Sequence, residues 1–228
     1  MAANPSALGL LARLVTHPPQ ATQRDEMSRA MPLLKQAFTS LPRHADGALN
    51  QEESAALHHE IFGHNVLPFA GVYLSDDGRV GGSSTDLILG AFRTLGIAHD
   101  PRGESPEHLG VLLAQIADLE RRPAEQDSPA ALEQIVDACL LAWLPPFCVA
   151  LQQTNQRYFA TLGHMIWQQA IQLREQEQAY LPPPVTSEVD LLTNPKTGLR
   201  QIALFLATPN RCGCLLSTHA ITIVSRQT

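Results

Sequence analysis

Residues 132–143 place apolar side chains at Leu132, Ile135, Val136, Cys139, Leu140 and Trp143. Steps of three and four lay all six along one side of an α-helix, whereas a strand would scatter them over both faces. The ends of the segment agree with a helix. Ser128 followed by Pro129 offers a capping hydroxyl and a first-turn residue whose missing N–H is no loss, and Pro145 with Pro146 cannot continue the backbone ladder. The helix is therefore expected to run from Ser128 to near Leu144. The preceding segment repeats this grammar: Ser105 as cap, Pro106 as first residue, then Leu109, Leu112, Leu113, Ile116 and Leu119 at helical spacing up to Pro123. Asn50 and Glu53 form a capping-box pair ahead of a helix over residues 55–62. Further helices are predicted over residues 5–15, 24–41, 84–95 with Gly96 as terminator, 155–178 and 199–207. Strand signals are confined to residues 220–224, where β-branched side chains favour a strand and Ser217 equally suits the cap of a short last helix. The fold class expected is all-α.

A chain of 228 residues with 44% hydrophobic content suits one domain that buries roughly 70% of its unfolded surface. Three consecutive prolines at 182–184 enforce an extended linker. The predicted organisation is a helical core over residues 1–180, then a linker and arm over 181–228 that pack on the core or swap between copies, giving a monomer or a domain-swapped dimer. No stretch of roughly 20 uninterrupted apolar residues, the length a spanning helix needs, stands out, and residues 1–14 lack the basic-then-apolar order of a secretory signal, so a cytoplasmic location is expected. A net charge of −6 with 16 Lys and Arg speaks against a nucleic-acid backbone as partner and suits a basic peptide. Cys139 and Cys148 lie in apolar helical sequence, and Cys212 with Cys214 are too close in sequence for an ordinary disulfide, so all four are read as thiols.

Candidate chemistry is sparse. His58, His59, Glu60 and His64 in HHEIFGH superficially resemble a zinc hydrolase motif, but His59 and His64 are five apart, about 140° around an α-helix, and no metal site is expected there. Cys212, Cys214 and His219 supply too few ligands for a closed site. The run LPFAGVY at 67–73, followed by a turn through Ser75, Asp76, Asp77 and Gly78, reads as a loop tucked onto the core or as a groove wall offering Phe69 and Tyr73. Glu107 and His108 stand in the first turn of a helix, where acidic residues are favoured, or present a carboxylate and an imidazole beside a groove. No nucleophile elbow or phosphate-binding loop is present, and neither a catalytic set nor a cofactor is expected.

The order of these motifs resembles the TorD/DmsD/NarJ family of redox-enzyme maturation chaperones. The resemblance runs from about residue 50 to 217: Glu60, Phe62 and Gly63 in HEIFGH; Val66–Phe69, Val72, Tyr73 and Leu74; Asp77, Gly78 and Gly82; Pro106, Glu107, His108 and Leu109; Trp143, Leu144, Pro145 and Phe147; Tyr158 and Ala160. Glu107 replaces the usual aspartate, Gly71 stands where a serine is common, and the chain stops soon after PNRCGCLLS. The resemblance implies a cytosolic chaperone, not an enzyme. Its implied partner is the precursor of a molybdenum-containing oxidoreductase, held through its apoprotein or its twin-arginine signal peptide until cofactor insertion is complete. A peptide with a basic pair and an apolar stretch suits a hydrophobic groove with carboxylates at one end. The candidate binding residues are Glu60, Phe62, Pro68, Phe69, Tyr73, Pro106, Glu107, His108 and Leu112, with Glu60 and Glu107 expected to meet the arginines and Glu107→Lys expected to weaken binding without loss of helicity. The alternatives are a helical adaptor for another client, or a metal-dependent enzyme using His58, His59 and His64.

Overall fold

A computed structural model of the chain describes residues 6–122 and 135–180, with side chains to residue 175, all within the unit Met1–Pro182. The fold is all-α: the described residues form helices, turns and loops, with two isolated bridges and no strand. The helices are α1 (Ala7–Thr16), α2 (Arg24–Ala30), α3 (Pro32–Phe38), α4 (Gln51–Glu60), α5 (Ala70–Leu74), α6 (Ser83–Thr94), α7 (Leu109–Leu119), α8 (Leu144–Gln153) and α9 (Arg157–Tyr180). Two π-turns, Ile61–Asn65 and Ile135–Leu141, interrupt this pattern. The expectations for Ser128, Pro129 and Leu132, for the linker at 182–184, for residues 199–207 and 220–224, and for Cys212 and Cys214 lie outside the described residues.

Helices α1 and α7 form the centre. Leu8, Leu10, Leu11, Ala12, Leu14 and Val15 of α1 are buried, as are Leu109, Leu112, Leu113, Ile116, Ala117 and Leu119 of α7, leaving neither helix a broad polar face. Two glycines let them meet closely. A methyl group built on Gly110 would stand 2.1 Å from Thr16 Oγ1 and 3.0 Å from the Ala12 carbonyl oxygen, and one on Gly9 would touch Ala117. Helix α9 packs on α1, α3, α8 and the turn at Ile135–Leu141, burying Tyr158, Phe159, Leu162, Met165 and Ile166.

Sequence and structure part at identifiable residues. The single helix expected over 24–41 is two, because Pro32 excludes the residue before it from the helical region: Met31 has φ −145° and ψ 77°, and Pro32 opens α3. The helix expected from Ser105 and Pro106 instead starts at Leu109. Ser105–Glu107 form a turn, and His108 is the cap, its Nδ1 accepting the Gly110 N–H at 3.1 Å. Residues 135–141 are wound as a π-turn, after which Trp143 Nε1 donates to the Cys139 carbonyl at 2.7 Å. Pro145 and Pro146 do stop what precedes them, but they also open α8, where their missing N–H groups would have no helical partner. Asn50 caps α4 as expected, accepting from the Glu53 N–H at 3.1 Å, and Gly96, with φ 62°, ends α6. Ile135–Gln153 has the length and mean apolar composition of a spanning helix, but Asp137, Pro145 and Pro146 interrupt its apolar run, and Ile135, Val136, Cys139, Leu140, Trp143, Leu144 and Phe147 are packed in the core. Burial pushes the Cys139 and Cys148 thiols up to about 11 and about 12, which leaves both in the unreactive protonated form at neutral pH.

His58 joins α4 to this centre. Its Nε2 donates to the Leu14 carbonyl at 3.3 Å and its ring meets Phe62 edge-on at 5.0 Å. Burial lowers its pKa from 6.5 to about 4, outweighing the carbonyls of Leu14 and Val15, with His17 and His108 adding to the lowering.

Two outcomes follow. Gly110→Ala forces α1 and α7 apart and is expected to cost about 2 kcal/mol, seen as a thermal midpoint lower by roughly 4–8 °C. The unfolded chain takes up a proton on His58 near pH 6.5 while the folded chain resists until about pH 4, so this residue's stabilising contribution is complete above pH 6.5 and is lost as pH falls towards 4. Urea unfolding at pH 7 and pH 5 should differ by about 2 kcal/mol on this account, and the difference should shrink in His58→Leu.

Candidate functional site

The site is built where two separated stretches of sequence pair. The Leu109 N–H donates to the Pro68 carbonyl at 2.8 Å and the Ala70 N–H to the Glu107 carbonyl at 3.1 Å, forming an antiparallel bridge between Phe69 and His108 whose rings meet edge-on at 5.0 Å. The expected loop at 67–73 therefore does lie on the core, but its second half is the short helix α5. The chain then turns through residues 75–82, where the Ser75 hydroxyl accepts the Arg79 N–H at 3.1 Å. Gly81 (φ 103°) and Gly82 (φ 73°) take left-handed conformations that lead into α6.

One carboxylate closes this excursion. Glu107 has no exposed surface. Its Oε2 accepts the Gly71 N–H at 2.9 Å and the Ser84 hydroxyl at 2.8 Å, and its Oε1 accepts the Gly81 N–H and the Thr85 hydroxyl at 3.2 Å. Gly82 at the cap position of α6 has no side chain to satisfy the first turn, so a buried anion from elsewhere in the sequence stands at the positive end of that helix. Gly71 is required for the approach: a methyl group there would stand 2.4 Å from the Arg79 carbonyl oxygen and 2.7 Å from Glu107 Oε2. The neighbouring His108 caps α7 with its unprotonated Nδ1, and burial lowers its pKa, Glu104 opposing and His17 assisting. Two consecutive side chains thus serve the starts of two different helices.

Behind the loop runs a line of rings. Tyr73 stacks on Trp143 with centroids 5.6 Å apart and meets Phe147 edge-on, Phe147 stacks on Phe62 at 6.3 Å, and Phe62 meets Phe159 edge-on at 5.5 Å. Burial raises the Tyr73 phenol to about 12. The sequence-predicted residues consequently differ in reach. Phe69 and Tyr73 are half-buried and Glu60 is exposed, whereas Phe62, Pro68, Pro106, Glu107, His108 and Leu112 are buried. The arginine contact expected of Glu107 meets a carboxylate whose two oxygens already carry four hydrogen bonds, and Glu107→Lys would break all four, so the expectation of an undisturbed fold in that variant is corrected. The residues that reasoning from sequence missed are Gly71, Gly81, Ser84 and Thr85. Their signal is a glycine pair at a helix start, which leaves the cap position without a side-chain acceptor, followed by the hydroxyls of Ser84 and Thr85.

Several large hydrophobic residues are left exposed. Of the five among the described residues, Leu74, Val80 and Leu87 belong to the segment that Glu107 closes, the others being Leu33 and Val149. Asp76, Asp77 and Asp86 stand exposed on the same segment. Among the described residues no three His, Cys, Asp or Glu side chains are grouped to hold a metal ion.

Glu107→Gln retains the shape but presents an NH₂ group to donors that need an acceptor. It is expected to cost about 2–3 kcal/mol. Hydrogen exchange should accelerate at the amides of residues 79–85 and stay unchanged in α9; uniform exchange across both regions would remove the role assigned to Glu107.

Comparison with curated proteins returns no match. A family model described as the nitrate reductase delta subunit matches residues 21–149, a span that takes in α2 to α7 and the opening of α8 and thus the whole of the Glu107-closed segment. With more than half of its length matched, the chain belongs to the nitrate reductase delta subunit family, the NarJ/TorD-type chaperones of molybdoenzyme assembly.

Proposed function

We propose that this chain is a cytoplasmic, non-catalytic chaperone that holds the precursor of a molybdenum-containing oxidoreductase through the surface formed by residues 69–87. The precursor segment is its twin-arginine signal peptide or an equivalent apolar stretch of the apoprotein. The observation that carries this reading is the concentration of exposed Leu74, Val80 and Leu87 on a segment pinned from beneath by a buried carboxylate. Exposed apolar surface is costly to maintain and marks a place where another chain is received. A backbone held rigid by Glu107 keeps the ordering cost of reception low. Half-buried Phe69 and Tyr73 add ring surface at the inner edge, and the buried members of the predicted set, Phe62, Pro68, Pro106, His108 and Leu112, support it from below.

The basic pair of a signal peptide falls to exposed carboxylates. Glu60 and the acidic residues of the 76–86 stretch fill this role, while Glu107 acts by positioning the loop. The net charge of −6 assists encounter with a basic leader at low ionic strength.

Anaerobic co-purification from the native cytosol, with mass-spectrometric identification of the retained protein, is the direct test. Recovery of a molybdoenzyme precursor with its leader supports the proposal; recovery of unrelated proteins alone reduces the chain to a helical adaptor. A synthetic twin-arginine leader, titrated while following the fluorescence of Trp143 beneath Tyr73, should bind at least tenfold more weakly to the double variant Leu74→Ser, Leu87→Ser. Glu60→Lys should weaken binding several-fold, with the difference fading at high salt.

A further inference from the structure

The histidines at 59 and 64 are five residues apart, a spacing that separates them on an α-helix. The chain between them does not stay α-helical. At Ile61–Asn65 it widens into a π-turn, closed by the Val66 N–H donating to the Ile61 carbonyl at 2.7 Å, a bond spanning five residues. The wider turn brings residues 59 and 64 side by side, and their rings lie with centroids 4.8 Å apart and planes at 79°. Both side chains are exposed. The room for this arrangement comes from Gly63, where a methyl group would stand 2.9 Å from Cε1 and Nδ1 of His59.

We propose that His59 and His64 form a two-imidazole surface site for a late first-row divalent cation of the Ni²⁺, Cu²⁺ or Zn²⁺ class. Imidazole nitrogens bind such ions at about 2.0–2.1 Å, which puts each ring centroid about 3.2 Å from the metal. Two rings subtending about 90–110° at one ion then have centroids roughly 4.5–5.2 Å apart, and the observed 4.8 Å falls within that interval. Both rings are exposed and can turn about their Cβ–Cγ bonds, a rotation that leaves their centroids nearly in place. A pair of protein ligands leaves the remaining coordination positions to water or to a donor from another molecule. His58 takes no part, because its Nε2 is committed to the Leu14 carbonyl and its ring to Phe62. The proposal does not rest on client binding by the 69–87 surface.

The test uses the full chain without a histidine tag, reduced, freed of metal, and carrying Cys212→Ser and Cys214→Ser so that those thiolates do not compete. Calorimetric titration with Ni²⁺ should reveal a site weakened at least tenfold by His59→Gln and by His64→Gln. Gly63→Ala should weaken it as well by displacing the His59 ring, whereas His44→Gln, a change at an exposed histidine elsewhere, should leave it intact. In the protein with both histidines present, substoichiometric Ni²⁺ should broaden the ring proton resonances of His59 and His64 before those of any other histidine. Affinity unchanged in both glutamine variants, or broadening that begins at other histidines, would overturn the proposal.

Discussion

The Glu107 carboxylate is the contact on which the functional half of the molecule depends. It satisfies backbone groups at Gly71 and Gly81 and hydroxyls at Ser84 and Thr85, four donors drawn from two helices and the loop between them. A buried anion is ordinarily expensive; here the charge is met by hydrogen bonds and by the amino end of α6. The arrangement ties residues 71–85 to the turn at 105–108, and that turn is in turn fixed to α7, which is locked against α1 through Gly110. A loop with exposed apolar side chains is thereby attached to the least yielding part of the core.

His108 extends the same logic by the opposite electrical means. Glu107 accepts hydrogen bonds as an anion, whereas His108 accepts the Gly110 N–H only while its Nδ1 is unprotonated. Burial favours that neutral form. Acid therefore acts on the cap of α7 in the same direction as on His58, and both histidines border α1 and its neighbours. The centre of the fold is sensitive to protons through these two buried histidines.

Much of the architecture was legible because its causes are local. Asn50 caps α4, Gly96 ends α6, and the apolar spacing of 109–119 is a buried helix, each as short-range chemistry requires. The misreadings also have local causes. The helix expected over 24–41 took no account of Pro32, and Ser105–Pro106 imitated a helix start one turn early. The π-turns were not legible: the apolar spacing of 135–141 reads as a regular helix, and nothing in HEIFGH states that its backbone bond spans five residues. Nor was the difference between Glu60 and Glu107. Both are acids beside aromatic motifs, and what separates a surface charge from a buried organiser is the set of donors at 71–85, which sequence distance conceals.

Glu107 and Gly71, the two site positions at which the sequence is read as differing from the family it resembles, meet at a single point in space. Glutamate in place of aspartate carries the carboxylate one methylene farther, and it reaches to 2.7 Å from where a side chain on residue 71 would begin. A serine at 71 could not coexist with that position of Oε2, nor with the Arg79 carbonyl oxygen 2.4 Å away, without movement of the backbone. With glycine, the longer acid occupies the space that a serine side chain would need and takes the backbone N–H of the same residue as its donor. Glu107 and Gly71 are thus sterically coupled, and they keep the loop closed by a direct bond from carboxylate to backbone.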